Sequence, residues 1–169
     1  MPAFILKSVQ KIPASIEEVW AFFSTPANLN EITPGNMGFR LLSGDQQTPL
    51  YEGQLFEYKV SPMLGIPLYW KTEISKVEAP YHFIDRQAKG PYKLWEHHHH
   101  FKSIDGGVEM TDIVYYQNPF YFLGNIANSL FVKSRLRQIF EFRFTKVEEL
   151  FGKWPGENKI QIDIRKSEG

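Results

Sequence analysis

Apolar and polar positions alternate from Phe4 to Ile12, with Phe4, Leu6, Ser8 and Gln10 on one side and Ile5, Lys7, Val9 and Lys11 on the other. This period of two predicts a strand with one mostly polar face. Pro13 stops it, and the spacing then changes. Ser15 followed by Glu18 forms a capping box, in which the serine side chain accepts from the glutamate amide while the carboxylate reaches back. Ile16, Val19, Trp20 and Phe23 recur at helical spacing, which predicts a short helix from Ser15 to Ser24. Thr25-Pro26 opens a second short helical turn through Leu29 and Ile32, ended by Pro34-Gly35.

Strand patterning returns between Gly38 and Gln117. Six segments are separated by turn residues: Phe39 to Ser43, Gln54 to Val60, Leu68 to Val77, Tyr81 to Ala88, Tyr92 to Ile104 and Val108 to Gln117. Ala79-Pro80, Gly90-Pro91 and Asp105-Gly106-Gly107 are too short to join parallel neighbours, so the segments predict an antiparallel meander. Beyond Asn118-Pro119, Gly124 through Phe151 contains no internal Pro or Gly. Ile126, Leu130, Val132, Leu136, Ile139, Phe140, Val147 and Leu150 recur there at three and four residues. They predict an amphipathic helix of about 40 Å. Gly152 ends it, and residues 1–152 therefore read as a single domain. The segment 153–169 is polar apart from alternating Ile160, Ile162 and Ile164, and reads as a flexible tail or a weak edge strand.

The order of elements defines an α+β fold with a curved antiparallel sheet of about seven strands and one long helix near the end of the chain. Backbone alone cannot fill the middle of such a sheet, so large side chains or a ligand must. Composition strengthens this expectation: 15% of the 169 residues are aromatic, with 14 Phe, 8 Tyr and 4 Trp. Nineteen Lys plus Arg balance nineteen Asp plus Glu, leaving no basic excess to neutralise a nucleic-acid backbone. Cysteine is absent, which removes disulfides, thiolate nucleophiles and cysteine zinc sites and suits a reducing compartment. Lys7 interrupts the start of the chain before any signal-peptide apolar run, and no run of about 18 apolar residues occurs. A soluble cytoplasmic protein with no integral membrane segment is expected. No G-x-S-x-G, P-loop or G-x-G-x-x-G motif is present, which argues against serine hydrolase, nucleotide hydrolase and dinucleotide-dependent chemistry.

Several segments together resemble the helix-grip superfamily that includes START lipid-binding domains, the birch-pollen allergen and polyketide cyclases, usually called SRPBCC. They are Ile12-Pro13-Ala14 with Glu18-Val19-Trp20-Ala21-Phe22, Phe83-Ile84-Asp85-Arg86-Gln87 with Gly90-Pro91-Tyr92, Trp95 through Phe101, Thr111 through Tyr116 with Pro119, and Ile139 through Arg143. The chain looks most like the small bacterial ligand-binding branch, over residues 4 to 150. The resemblance implies a helix-grip fold with a cavity between sheet and helix. It does not imply one function, since carriers, receptors, cyclases and chaperone activators share the scaffold.

Candidate chemistry centres on His97 to His100. Alternation sends Trp95, His97, His99 and Phe101 inward and Glu96, His98, His100 and Lys102 outward, toward solvent or a partner. A two-residue turn at Asp105-Gly106 pairs Ile104 with Gly107, hence His99 with Asp112 and Trp95 with Tyr116. A three-residue link at Lys89-Gly90-Pro91 puts Phe83 and Asp85 beside His97 and Trp95. The inner face then gathers Asp85, His97, His99 and Asp112 among aromatics. Read chemically, His99 with Asp112 is a carboxylate-oriented base for cyclase or dehydratase reactions. Read plainly, the four groups satisfy one another and orient the polar end of a ligand. A metal held by His97, His99 and Asp112 is the third reading, with the two histidines about 7 Å apart along the strand. Without a helical H-x-x-x-H or any Cys, no metal and no cofactor are expected.

Phe56, Tyr58, Trp70, Phe83, Trp95, Phe101 and Tyr116 are the expected cavity aromatics, joined by Leu136, Ile139 and Phe140 from the helix; the side taken by Trp70 depends on the turn after Val77. Lys133, Arg135, Arg137, Arg143 and Lys146, matched by Glu141, Glu148 and Glu149, read as a solvated helix face. Met63, Leu64 and Ile66 form an apolar loop able to gate a pocket. The leading expectation is a non-catalytic binding protein for a small hydrophobic or aromatic molecule, such as a lipid, polyketide-like or isoprenoid compound. A cyclase-type enzyme, or a protein-interaction module working through the outer sheet face and the apolar loop, are the alternatives.

Overall fold

A computed structural model describes residues 3–61, 65–117 and 125–167 of the chain. β1 (Ala3–Ile12) buries Phe4, Leu6, Ser8, Gln10 and Ile12, every second position. The capping box starts α1 (Ile16–Phe23): the Glu18 amide donates to the Ser15 hydroxyl at 3.3 Å and the Ser15 amide to the Glu18 carboxylate at 3.0 Å. Where one helical turn is expected there are two short 3-10 segments, Pro26–Asn30 and Gly35–Met37, divided by Pro34. The meander follows as β2 (Arg40–Ser43), β3 (Leu55–Val60), β4 (Leu68–Glu78), β5 (His82–Lys89), β6 (Leu94–Ile104) and β7 (Gly107–Gln117), then α2 (Asn125–Phe151) and β8 (Gln161–Lys166). Met63 and Leu64 of the expected gating loop, and the break at Asn118-Pro119, lie outside the described residues, while Ile66 is exposed.

The sheet has eight strands, in the order β2-β3-β4-β5-β6-β7-β1-β8, each antiparallel to its neighbour. It exceeds the expected seven because Gln161–Lys166 pairs with the outer edge of β1, from Phe4 opposite Lys166 to Val9 opposite Gln161. Of the two readings of the chain end, the edge strand is the one observed over this segment. The reason is apolar: Ile162 and Ile164 pack against the buried cluster containing Phe4 and Leu6. Asn158 docks the approach, its amide accepting from Lys11 N and donating to Lys11 O, both at 3.1 Å.

α2 lies on the inner face through Val132, Leu136, Phe140, Phe144 and Val147, a stripe at four, four, four and three residues. Leu130 and Leu150, expected on that stripe, are exposed. Gln10 of β1 fixes the helix laterally by donating to the Phe144 carbonyl at 2.9 Å. Two buried clusters result, one containing Trp70, Tyr116, Leu136 and Phe140 and the other Val19, Phe83, Phe101 and Val147. Among the described residues no helix is long and apolar enough to cross a membrane.

Candidate functional site

A cavity of about 200 Å³ opens between the two clusters. Its sheet wall includes Phe56, Tyr58, Trp70, Phe83, Asp85, Trp95, His97 and His99, and its helix wall Leu136, Ile139, Phe140 and Arg143. Trp70 packs edge-on against Trp95, with centroids 5.3 Å apart, and stacks on Tyr58 at 6.1 Å. Tyr58 hydroxyl lies 2.7 Å from Thr72 Oγ1, so it is already partnered within the wall.

β6 places the polar groups as alternation predicts: His97 and His99 are buried. Gly106 adopts φ 80° in the turn to β7, and Ile104 pairs with Gly107, His99 with Asp112 and Trp95 with Tyr116. The β5–β6 register differs from expectation. Phe83 lies opposite His99 and Asp85 opposite His97, two residues further along. The link is longer than three residues because the Gln87 side chain spans it, donating to the Tyr92 carbonyl at 2.7 Å and accepting from the Tyr92 amide at 3.2 Å. A shift of two leaves every side chain on its expected face.

Hydrogen bonds within the inner group run diagonally to the strand pairing. His97 Nε2 is 2.8 Å from Asp112 Oδ1, and His99 Nε2 is 2.6 Å from Asp85 Oδ2. The other nitrogens also face carboxylates: His99 Nδ1 lies 3.2 Å from Asp112, outside hydrogen-bond alignment, and His97 Nδ1 lies 3.8 Å from Asp85. The two imidazoles stack with centroids 3.7 Å apart, and Phe83 stacks on the other side of His99 at 4.0 Å. Arg143 completes the group, with Nη1 3.5 Å from Asp112 Oδ1 and the guanidinium 5.4 Å from the Phe140 ring centre.

Burial acts against charge on all four titratable groups, and the partners decide each outcome. Burial and the neighbouring His99 charge bring His97 down to about 4, despite Asp112. His99 moves the other way: burial pushes it down, but Asp112 and Asp85 together outweigh burial and raise it. Asp85 and Asp112 would be raised by burial, yet the histidines and Arg143 hold both below the usual carboxylate range, Asp112 well below it. Whenever His99 carries its proton, it and Arg143 balance the two carboxylates around His97.

This arrangement makes stability depend on pH. The unfolded chain takes up a proton on His97 near its ordinary value of 6.5, whereas the folded chain does so only near 4. Acidification through that window therefore favours the unfolded state, by about 3 kcal/mol in all. His99 has the opposite sign: its contribution is complete below its unfolded value and fades as pH rises through its raised folded value. Urea unfolding across pH is expected to show a maximum near pH 6.5. His97→Gln, which keeps a donor near Asp112 but cannot titrate, should flatten the fall between 6.5 and 4; an unaltered acid limb would assign that limb to other groups.

Three expected lining residues stand elsewhere. Asp112 is 1% exposed and lies behind the histidines, Tyr116 is fully buried against Phe4, and Phe101 packs with Trp20 and Phe23 beyond Phe83. Arg143 is likewise corrected: it is buried at the cavity, not on the solvated helix face. Its spacing, three residues after Phe140 and four before Val147, places it on the apolar stripe and is the signal that identifies it. Phe22 and Phe23 of α1, Leu29 of the first 3-10 segment and Ile32 of the turn after it add a further wall, and the tilt of this segment over the sheet has no local sequence signature.

No family profile and no curated protein matches the sequence. Solved structures do match the fold. A Chromobacterium violaceum protein superposes with a TM-score of 0.67 at 10% identity, covering 88% of this chain and 97% of its own. A START superfamily protein from Mycobacterium smegmatis gives 0.62 at 11% identity, with 87% and 99% covered. Major latex-like protein 151 from Panax ginseng gives 0.55 at 16% identity, with 83% and 97% covered. The fold is therefore the helix-grip fold, shared with the START superfamily protein and the latex-like protein. At these identities the likeness is one of fold.

Proposed function

We propose that the protein binds a small aromatic molecule bearing an oxygen acceptor, held between the sheet and α2. The observation that carries this reading is an aromatic-walled cavity two of whose wall residues hold buried donors without a hydrogen-bond partner, Trp70 Nε1 and Arg143 Nε, while Arg143 Nη1 has only the 3.5 Å ion-pair contact with Asp112. Buried donors are costly without an acceptor, and a ligand carboxylate, phenolate or carbonyl supplies one. Volume narrows the ligand further. An apolar cavity of about 150 Å³ holds benzene, so the present one suits one or two fused rings better than a long acyl chain or an extended isoprenoid. Ligand carriage by this fold is in keeping with the START superfamily neighbour.

The site supports binding over catalysis by a histidine base. Both ring nitrogens of His99 face carboxylates and both its ring faces are covered, leaving no nitrogen directed to a substrate. Titration with naphthoate, followed by quenching of Trp70 and Trp95 fluorescence, tests the proposal. Saturable binding is expected, with naphthalene weaker by about tenfold for want of the acceptor, and with Arg143→Met removing most of that difference. Tight binding of palmitate with none of naphthoate would overturn it.

A further inference from the structure

The outer half of the histidine run is not used by the cavity. His98 and His100 point to the opposite face of the sheet, where β5 brings His82 directly opposite His100. The rings of His82 and His100 lie parallel at 4.2 Å, and those of His82 and His98 are 5.6 Å apart. Each of the three offers one ring nitrogen within 4.8 Å of those of the other two.

Two carboxylates orient the cluster. Glu78 Oε2 lies 3.3 Å from His82 Nδ1, and Glu96 Oε1 lies 2.7 Å from His98 Nε2. A carboxylate accepts the proton of the nitrogen it faces, so the other nitrogen of each ring keeps its lone pair, as in metal-bound histidines whose far N–H donates to a carboxylate. For His82 that nitrogen is Nε2, which is buried and has no partner.

We propose that His82, His98 and His100 form a surface site for a divalent transition-metal ion, of the zinc, nickel or copper class that imidazole suits. Three strand histidines provide three nitrogen ligands and leave a coordination position for water or a partner's side chain. Ligand nitrogens around such an ion sit about 3.4 Å apart at a metal–nitrogen distance of about 2.05 Å, so modest ring rotations close the site. The inner Asp85, His97 and His99 also lie within 4.8 Å of one another. That group is disfavoured for a cation because its nitrogens already face carboxylates and Arg143 stands 3.5 Å from Asp112.

Calorimetric titration of untagged protein with Zn2+, using Mg2+ as control, tests the site. One Zn2+ per chain is expected to bind with a micromolar or tighter dissociation constant, with no Mg2+ binding because Mg2+ requires oxygen ligands. His82→Gln and His100→Gln should each weaken Zn2+ binding by about tenfold or more. In the unmodified protein, ring-nitrogen NMR signals of His82, His98 and His100 should shift with Zn2+. No saturable binding up to about 1 mM Zn2+, or shifts and losses confined to His97 and His99, would overturn the proposal.

Discussion

Asp112→Ala is expected to lower the unfolding free energy by about 3–5 kcal/mol, the cost of removing one partner from a buried charged group. Asp112 is 1% exposed and is approached by His97 at 2.8 Å, His99 at 3.2 Å and Arg143 at 3.5 Å. Without its carboxylate, Arg143 and His99 are left buried with Asp85 as the sole remaining anion of the group. Domains of this kind are stable by about 5–15 kcal/mol in total, so the variant should unfold at markedly lower urea. Asp112→Asn retains the shape and loses the charge, and should fall between the two. A loss below about 1 kcal/mol for the alanine variant, the range of exposed ion pairs, would show that the group is not electrostatically coupled.

Phe140→Ala should cost about 3–5 kcal/mol, by loss of transfer energy and by the space left behind. Phe140 is 4% exposed, lies 5.9 Å from the His97 ring and carries the Arg143 guanidinium on its face. Because it also lines the cavity, truncation enlarges the binding space. Added naphthoate should then restore part of the loss, about 2.7 kcal/mol at a ligand concentration of 100 times the dissociation constant. Larger fused aromatics should gain affinity relative to naphthoate. Thermal unfolding with and without ligand checks both; unchanged stability, or a ligand size preference that does not move, would contradict the placement of Phe140 in the wall.

Much of the fold is legible because its punctuation is chemical. Pro13, Ala79-Pro80, Asp105-Gly106 and Gly152 end elements where the backbone must turn, and the strands between them alternate cleanly. The tight β6–β7 turn is also why the pairing of His99 with Asp112 can be read from spacing alone. The β5–β6 register cannot, because a side chain, Gln87, completes the turn in place of backbone. Which aromatics face the cavity was legible in part. Period two separates inner from outer faces, but Tyr116 and Phe101 are inward residues that neighbouring rings cover, Phe4 of β1 on Tyr116 and Trp20 and Phe23 of α1 on Phe101, and α1 is placed by long-range packing. Arg143 was hidden by its charge, although its position on the helix marks it. His82 joins the outer histidines only once β5 is set beside β6.

The most direct test of the central claim is an NMR titration of the unmodified protein with naphthoate. Binding in the cavity predicts the largest shifts at Trp70, Trp95, His97, Ile139 and Arg143, which line it from both sides, and little change at His98 and His100 on the outer face. Shifts centred on the outer face, or none at concentrations of about 1 mM, would contradict it.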